Sequence, residues 1–218
     1  MKQVVAIDGP SGAGKTTIAK LIAKELGFDY LDTGALYRAV ALALMDSHIA
    51  TDDSDKKIRG VLNTTIITFR NGKIFLNGND VSATIRSKEM DHFSSVFSAR
   101  KIIRDFLLNT QRTAALNNDL IVEGRDTTTV VFPNAPKKIF LDASVDERAK
   151  RRCLQYLEKG INISIEDARQ NIIDRDKRDA SRDVAPMKVA SDALLLDSSS
   201  LSIEQVKNKI LEFVRTEM

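Results

Sequence analysis

Gly9-Pro10-Ser11-Gly12-Ala13-Gly14-Lys15-Thr16 fits the pattern G-x-x-x-x-G-K-[ST], and its neighbours supply the context that pattern needs. Val4-Val5-Ala6-Ile7 before it is a short, apolar, largely β-branched run that reads as a buried parallel strand. After it, Ile18, Leu21, Ile22 and Leu26 recur at helical spacing and Gly27 closes the run. Strand, glycine loop and helix therefore follow in the order that builds a phosphate-binding loop. Backbone N–H groups can surround a triphosphate only where side chains are missing, so Gly9, Gly12 and Gly14 permit an approach that a Cβ would block. The helix start adds free N–H groups and a positive dipole end. Lys15 then reaches the β and γ phosphates, and the Thr16 hydroxyl is placed to meet a magnesium ion.

Working outward, Phe28 to Leu31 reads as a second strand ending in Asp32-Thr33-Gly34, with a helix from Ala35 to Met45. The alternation then breaks. Val61 to Arg70 reads as a strand that meets Lys73 to Leu76 across Asn71-Gly72, and Asn77-Gly78 turns the chain again, so an antiparallel meander is predicted. Such a meander cannot belong to a parallel alternation, which makes residues 46–100 an insertion on a core formed by residues 1–45 and 101–218. Alternation resumes with a helix from Ala99 to Leu116 and strands at Leu120 to Val122, Lys138 to Leu141 and Leu194 to Leu196. Helices are predicted from Val145 to Glu158 and from Ser164 to Arg178, and a last one opens at Ser202. The expected fold is α/β: a doubly wound, five-stranded parallel sheet with helices on both faces, plus a small inserted antiparallel β/α module. Ligands then belong at the carboxyl ends of the strands, where Asp8, Asp32, Asp126 and Asp197 gather. For Asp142 and Asp197, capping and turn formation are the preferred roles.

The 218 residues suffice for one sizeable core, and the net charge of +3 comes from basic residues mixed with acids, which does not argue for nucleic acid. Cys153 is the single cysteine, so no internal disulfide is possible, and it lies in a helical pattern that suggests packing. No apolar run approaches the ~20 residues of a membrane span. His48 and His92 stand alone and build neither a metal cluster nor a Ser/His/Asp set. A soluble, cytoplasmic, monomeric chain is expected, with no leader segment.

Two arginine-rich stretches, Glu147 to Arg152 and Arg175 to Arg182, bracket a polar segment. If the second is helical, Arg175, Asp179 and Arg182 share one face with Arg178 beside them. Forked guanidinium groups suit phosphate oxygens or base carbonyls, and a carboxylate suits ribose hydroxyls. A solvated face with an Asp174–Arg178 ion pair is the competing explanation. Beside a phosphate-binding loop, an arginine-rich cover over roughly residues 148–169, with Arg148, Arg151 and Arg152, is the better one, because phosphoryl transfer needs charge compensation and exclusion of water.

Asp32-Thr33-Gly34-Ala35-Leu36-Tyr37-Arg38, Gly124-Arg125-Asp126, Thr129-Val130-Val131-Phe132-Pro133, Lys138 to Ser144 and Arg175-Asp176-Lys177-Arg178-Asp179, together with the loop, resemble the bacterial cytidylate kinases over essentially the whole chain. The resemblance implies transfer from ATP to CMP or dCMP, with Mg²⁺, and makes the insertion a nucleoside monophosphate-binding module. By matching positions, Gly9, Pro10, Ser11, Gly12, Ala13, Gly14, Lys15, Thr16 and Thr17 would hold ATP. Thr33, Arg38, Ser95, Arg104, Arg125, Asp126, Arg175, Asp179 and Arg182 would hold the monophosphate. Arg38 and Arg125 are implied as phosphate clamps and Asp179 with Arg175 as ribose ligands. Ser95, Arg104, Asp126 and Arg182 fall on the cytosine side, and Lys15, Arg38, Arg125 and Asp126 stand nearest the chemistry. The chain departs from the family pattern at Thr16-Thr17, where Gly-Thr is usual, at Thr33 for serine, at Glu123 for aspartate, and at Thr127-Thr128 for Met-Gly. A kinase of another small acceptor, such as UMP or a hydroxy acid, would share the fold and the loop. A switch NTPase for guanine nucleotides would want Asn-Lys-x-Asp, and Asn208-Lys209-Ile210-Leu211 lacks the acid.

Overall fold

The computed structural model describes residues 2–70, 72–158 and 160–216. Five strands, β1 (Val4–Asp8), β2 (Asp29–Asp32), β6 (Leu120–Glu123), β7 (Lys137–Asp142) and β8 (Leu194–Asp197), form one parallel sheet in the order β2-β6-β1-β7-β8. β1 is central, and its alternate residues serve two cores. Val4 and Ala6 join a cluster with Leu31, Leu120 and Val122 beneath α2 (Thr33–Asp46) and α5 (Lys101–Thr113). Val5 and Ile7 join Ile121, Ile139 and Leu141 beneath α1 (Lys15–Leu26) and α8 (Ile203–Arg215). Helices thus cover both faces, as a parallel sheet with two buried faces requires. Because β1 and β6 are parallel neighbours, the loops that follow them open side by side on one edge.

A second, three-stranded antiparallel sheet comprises β3 (Ile67–Arg70), β4 (Lys73–Leu76) and β5 (Asn79–Asp80). Asn77 and Gly78 both have positive φ, 49° and 85°, as a tight Asn-Gly hairpin turn requires. In the other turn Gly72 has φ 73°, while Asn71 lies outside the described residues. The expected strand from Val61 is shorter than its β-branched composition suggests. Val61 and Leu62 close helix α3 (Asp55–Leu62), whose Ile58 and Leu62 are buried one turn apart. The Thr64 and Thr65 hydroxyls donate to the Val61 carbonyl at 3.1 and 2.8 Å, satisfying the helix end in place of a strand ladder. Helix α4 (Lys88–Phe97), opened by the Ser87 side chain accepting from the Met90 N–H, was not foreseen. Ile58, Ile67, Ile74, Met90 and Phe97 belong to the same apolar cluster as α2, so this region stands on the sheet through α2.

Helices α6 (Val145–Leu157) and α7 (Ile165–Ser181) pack together around Ala149, Ala168 and Ile172, with Cys153 half-buried against them. Among the described residues no helix is long and apolar enough to cross a membrane. Asp142 and Asp197 serve turns: Asp142 accepts from the Ala143 N–H at 2.8 Å, and Asp197 accepts from the Ser199 N–H at 2.8 Å.

Candidate active site

Between β1 and α1 the chain must turn sharply under the neighbouring strand. Gly9 has φ 147°, and a Cβ there would fall 2.0 Å from the Leu141 carbonyl oxygen, so only glycine fits. Lys15 is 5% exposed and donates from Nζ to the Pro10 carbonyl at 2.7 Å. Burial, with Arg125 next in weight, lowers its pKa to about 7. Thr16 and Thr17 are exposed at the start of α1, and the Thr16 hydroxyl donates to the buried Glu123 carboxyl. That carboxyl is pushed up by burial and by Asp32.

The loop is braced from above. Arg148 donates to the Ser11 carbonyl at 2.9 Å and to the Ala143 carbonyl at 2.8 Å, and pairs with Asp176 of α7. Asp176 in turn accepts from the Ser11 N–H at 2.9 Å. Arg151 reaches the Ala13 carbonyl at 3.3 Å and the Ser198 carbonyl at 2.8 Å. Two of the three arginines assigned to a cover therefore lie on the loop itself, and the third, Arg152, turns to Asp91 of α4 at 3.0 Å.

At the root of the loop, the fully buried Asp8 carboxylate accepts four hydrogen bonds from the turn after β6. The donors are the Thr127 N–H and hydroxyl at 2.9 and 2.6 Å and the Thr128 N–H and hydroxyl at 2.7 and 2.6 Å. Burial raises its pKa, and these donors oppose the rise. The two hydroxyls come from the pair that departs from the family pattern. This clamp fixes the wide helical turn Thr127–Val131, and with it Gly124-Arg125-Asp126, against the loop.

All the residues assigned to the monophosphate except Arg38 line a single cavity beside the loop. Thr33 donates to the Glu123 carbonyl at 2.7 Å, and Arg178 donates to the Ser95 hydroxyl at 3.3 Å. Arg178 is thus engaged with α4, while Asp174 accepts from Gln170 at 2.9 Å, in place of the intrahelical pair considered for them. At one end of the cavity Asp126 sits between Arg104 and Arg182, the latter at 3.1 Å, and Arg104 stacks 5.2 Å from the centre of the Tyr37 ring. Asp179 lies 3.6 Å from the same Arg182, pairs with Arg125 at 3.1 Å and lies 3.9 Å from Arg175. Burial works against its ionisation, but Arg125, Arg175 and Arg182 outweigh it and hold its pKa low. Arg38 lies just outside the lining, between Asp32 at 3.6 Å and Asp91 at 3.0 Å.

Two buried donors in this cluster make no hydrogen bond: Nη1 of Arg38, which faces Asp32 at 3.6 Å, and Nε of Arg175, which faces Asp179 at 3.9 Å. Burial, and then Arg125, lowers the pKa of Arg175 to about 10. The cavity measures about 40 Å³, scarcely more than a water molecule needs. Among the described residues no group of three or more His, Cys, Asp or Glu could hold a metal ion.

Sequence reading missed Asp91, Asp176 and Tyr37. Asp91 carries no motif, and Asp176 was passed over in favour of its neighbours at helical spacing. Tyr37 lay within a quoted motif but was assigned no role.

The cytidylate kinase family model matches residues 5–216. A cytidylate kinase of Thermodesulfovibrio yellowstonii is 49% identical over 98% of this chain and 98% of its own. One of Thermosipho melanesiensis is 47% identical over 97% of this chain and 96% of its own. Among solved structures, an uncharacterised protein of Eubacterium ventriosum superposes with TM-score 0.56 over 99% of this chain and 100% of its own, at 12% identity, which speaks to the fold alone. With a family model spanning nearly every residue and relatives this similar along their full lengths, the chain belongs to the cytidylate kinase family.

Proposed function

We propose that the chain transfers the γ-phosphoryl group of ATP to CMP or dCMP, giving ADP and the diphosphate, with ATP on the loop after β1 and the acceptor in the cavity after β6. One observation carries this assignment beyond membership of the family. Arg175, whose buried Nε makes no hydrogen bond, feels the charges of Lys15, Arg125 and Arg38, a gathering of cations suited to the place where an acceptor phosphate meets the γ-phosphate.

The acceptor is already an oxyanion, so no general base is needed, and the loose transition state asks for alignment and charge stabilisation. Lys15 serves the β and γ oxygens of ATP. Arg38 and Arg125 clamp the acceptor phosphate, joined by Arg175 in place of the ribose role that the resemblance implies for it, and they share the charge that builds between the two nucleotides. Asp179 receives ribose hydroxyls, exchanging one of its guanidinium partners for them. Asp126, held between Arg104 and Arg182, offers a carboxylate to the cytosine amino group, and the two arginines offer donors to the ring carbonyl and nitrogen, with Ser95 beside them. Kinases of this kind use ATP together with a divalent ion. Mg²⁺ suits the Thr16 hydroxyl with Glu123 behind it, and when bound it neutralises phosphate charge. The region from 46 to 100 acts as the acceptor-binding module and 148–169 as a cover, with Arg152 its mobile contact.

The deciding experiment is a coupled ADP-release assay over CMP, dCMP, UMP, AMP and shikimate, with ATP alone as the blank. CMP and dCMP should give turnover far above the blank. Equal ATP consumption without acceptor, or a stronger response to another acceptor, would overturn the assignment.

A further inference from the structure

Asp91 stands where three arginines from three helices meet. Its Oδ1 accepts from Nε of Arg38 on α2 at 3.0 Å and its Oδ2 accepts from Nη2 of Arg152 on α6 at 3.0 Å. Arg175 on α7 adds to their pull and helps keep the carboxyl ionised against burial. Two of the trio carry a buried N–H that makes no hydrogen bond, Nη1 of Arg38 at 3.6 Å from Asp32 and Nε of Arg175 at 3.9 Å from Asp179. A carboxylate brings two oxygens and one negative charge, whereas a phosphomonoester brings three oxygens and up to two charges. A phosphate entering here would bring acceptors to two donors that the neighbouring carboxylates, Asp32 and Asp179, hold only at ion-pair distance.

We propose that Asp91 is a built-in rival of the acceptor phosphate: its carboxylate holds Arg38 and Arg152 until the incoming phosphomonoester takes those donors over. The proposal rests on the acceptor site assigned above. Before the acceptor arrives, Asp91 keeps guanidinium groups of like charge gathered and draws α6 onto α4. On binding, it must yield its partners, which lowers the affinity for any phosphate and ties the position of Arg152 to the presence of an acceptor.

The sign of its removal follows from what else holds those arginines. Arg38 is also 3.6 Å from Asp32, and Arg152 also stacks 5.0 Å from the centre of the Tyr156 ring. Each keeps a second anchor without Asp91, so loss of the carboxylate chiefly relieves competition. The site is partly exposed, with side-chain exposures of 14% for Arg38, 19% for Asp91 and 21% for Arg152, so a gain on the order of tenfold in phosphate affinity is expected.

Isothermal titration with CMP and with cytidine separates this from a structural role, because only CMP carries the phosphate. In Asp91→Asn, and in Asp91→Ser as a second neutral variant, Kd for CMP should fall about tenfold while Kd for cytidine changes less than about twofold. Asp91→Glu, which keeps the charge, should bind CMP as the parent does. At saturating substrates kcat should stay within about threefold of the parent, because Asp91 is already displaced in the ternary complex. Unchanged or weaker CMP binding in both neutral variants, or a parallel loss for CMP and cytidine, would overturn the proposal. A parent protein that binds no cytidine nucleotide would instead refute the substrate assignment, and the same comparison with the nucleoside and monophosphate it does use would still test Asp91.

Discussion

Lys15 gives the sharpest numerical test, because its environment in the free protein and its role with ATP demand different protonation states. The ammonium is buried, has one carbonyl acceptor at 2.7 Å, and faces Arg125 and Arg175, so its pKa is lowered to about 7. A lowered lysine pKa means the proton is lost as pH rises through 7 in the free protein. Arrival of a triphosphate restores the charge, so ATP binding above pH 7 must take up a proton. At pH 8 a group of pKa about 7 is roughly one-tenth protonated, so uptake should approach ~0.9 proton per nucleotide; at pH 6 the Lys15 contribution should shrink to ~0.1. By the same linkage, apparent affinity should fall by up to about tenfold per pH unit above 7. The assay is calorimetry with a non-hydrolysable ATP analogue in two pH 8 buffers of different ionisation heat, whose difference reports the protons exchanged. Lys15→Arg, which remains charged, should abolish the uptake. A buffer-independent heat in the parent at pH 8, or the same uptake in Lys15→Arg, would refute the reasoning.

Asp179→Ala should raise KM for CMP far more than KM for ATP, by about tenfold or more, because the carboxylate faces the acceptor side; steady-state kinetics with equal effects on both substrates would remove it from that position. Gly9→Ala places a Cβ 2.0 Å from the Leu141 carbonyl oxygen and should abolish ATP binding in titration or destabilise the fold by at least about 2 kcal/mol, whereas a variant with parental affinity and melting would contradict the tight turn. The pair Thr127→Val and Thr128→Val strips two hydroxyl donors from Asp8. Its carboxyl already has a raised folded-state pKa, so its contribution to stability declines as pH climbs above the ordinary carboxylate value, and the variant raises that pKa further. Urea unfolding should show little deficit near pH 4 and one of about 3 kcal/mol at pH 7; a pH-independent deficit would mean that the hydroxyls do not act through Asp8.

Much of the architecture was legible because it depends on local patterns. Val4 to Thr16 specifies strand, turn and helix within a few residues, and the Asn77-Gly78 hairpin follows from the two positive φ values such a turn needs. The strand expected from Val61 failed because Thr64 and Thr65 satisfy the Val61 carbonyl with their hydroxyls, a choice β-propensity does not encode. The site divides in the same way. That Arg175, Asp179 and Arg182 come together was legible because a helix puts them on one face, and they line one cavity with Arg125, which sits in a motif; Arg38, also in a motif, lies just outside it. Asp91 reaches Arg38 from 53 positions away, and Asp176 reaches Ser11 from 165 away, so their roles exist only once α4 and α7 are packed against the loop.

Helix α7 touches the donor loop through Asp176 and the acceptor cavity through Arg175, Asp179 and, just past its end, Arg182. On the proposed assignment, side chains one position apart on this helix answer to different nucleotides. A shift of its axis that improves one contact must alter the other, so the two substrates cannot sense the protein independently. Thermodynamic reciprocity then requires any change ATP makes in CMP affinity to be returned in equal measure by CMP.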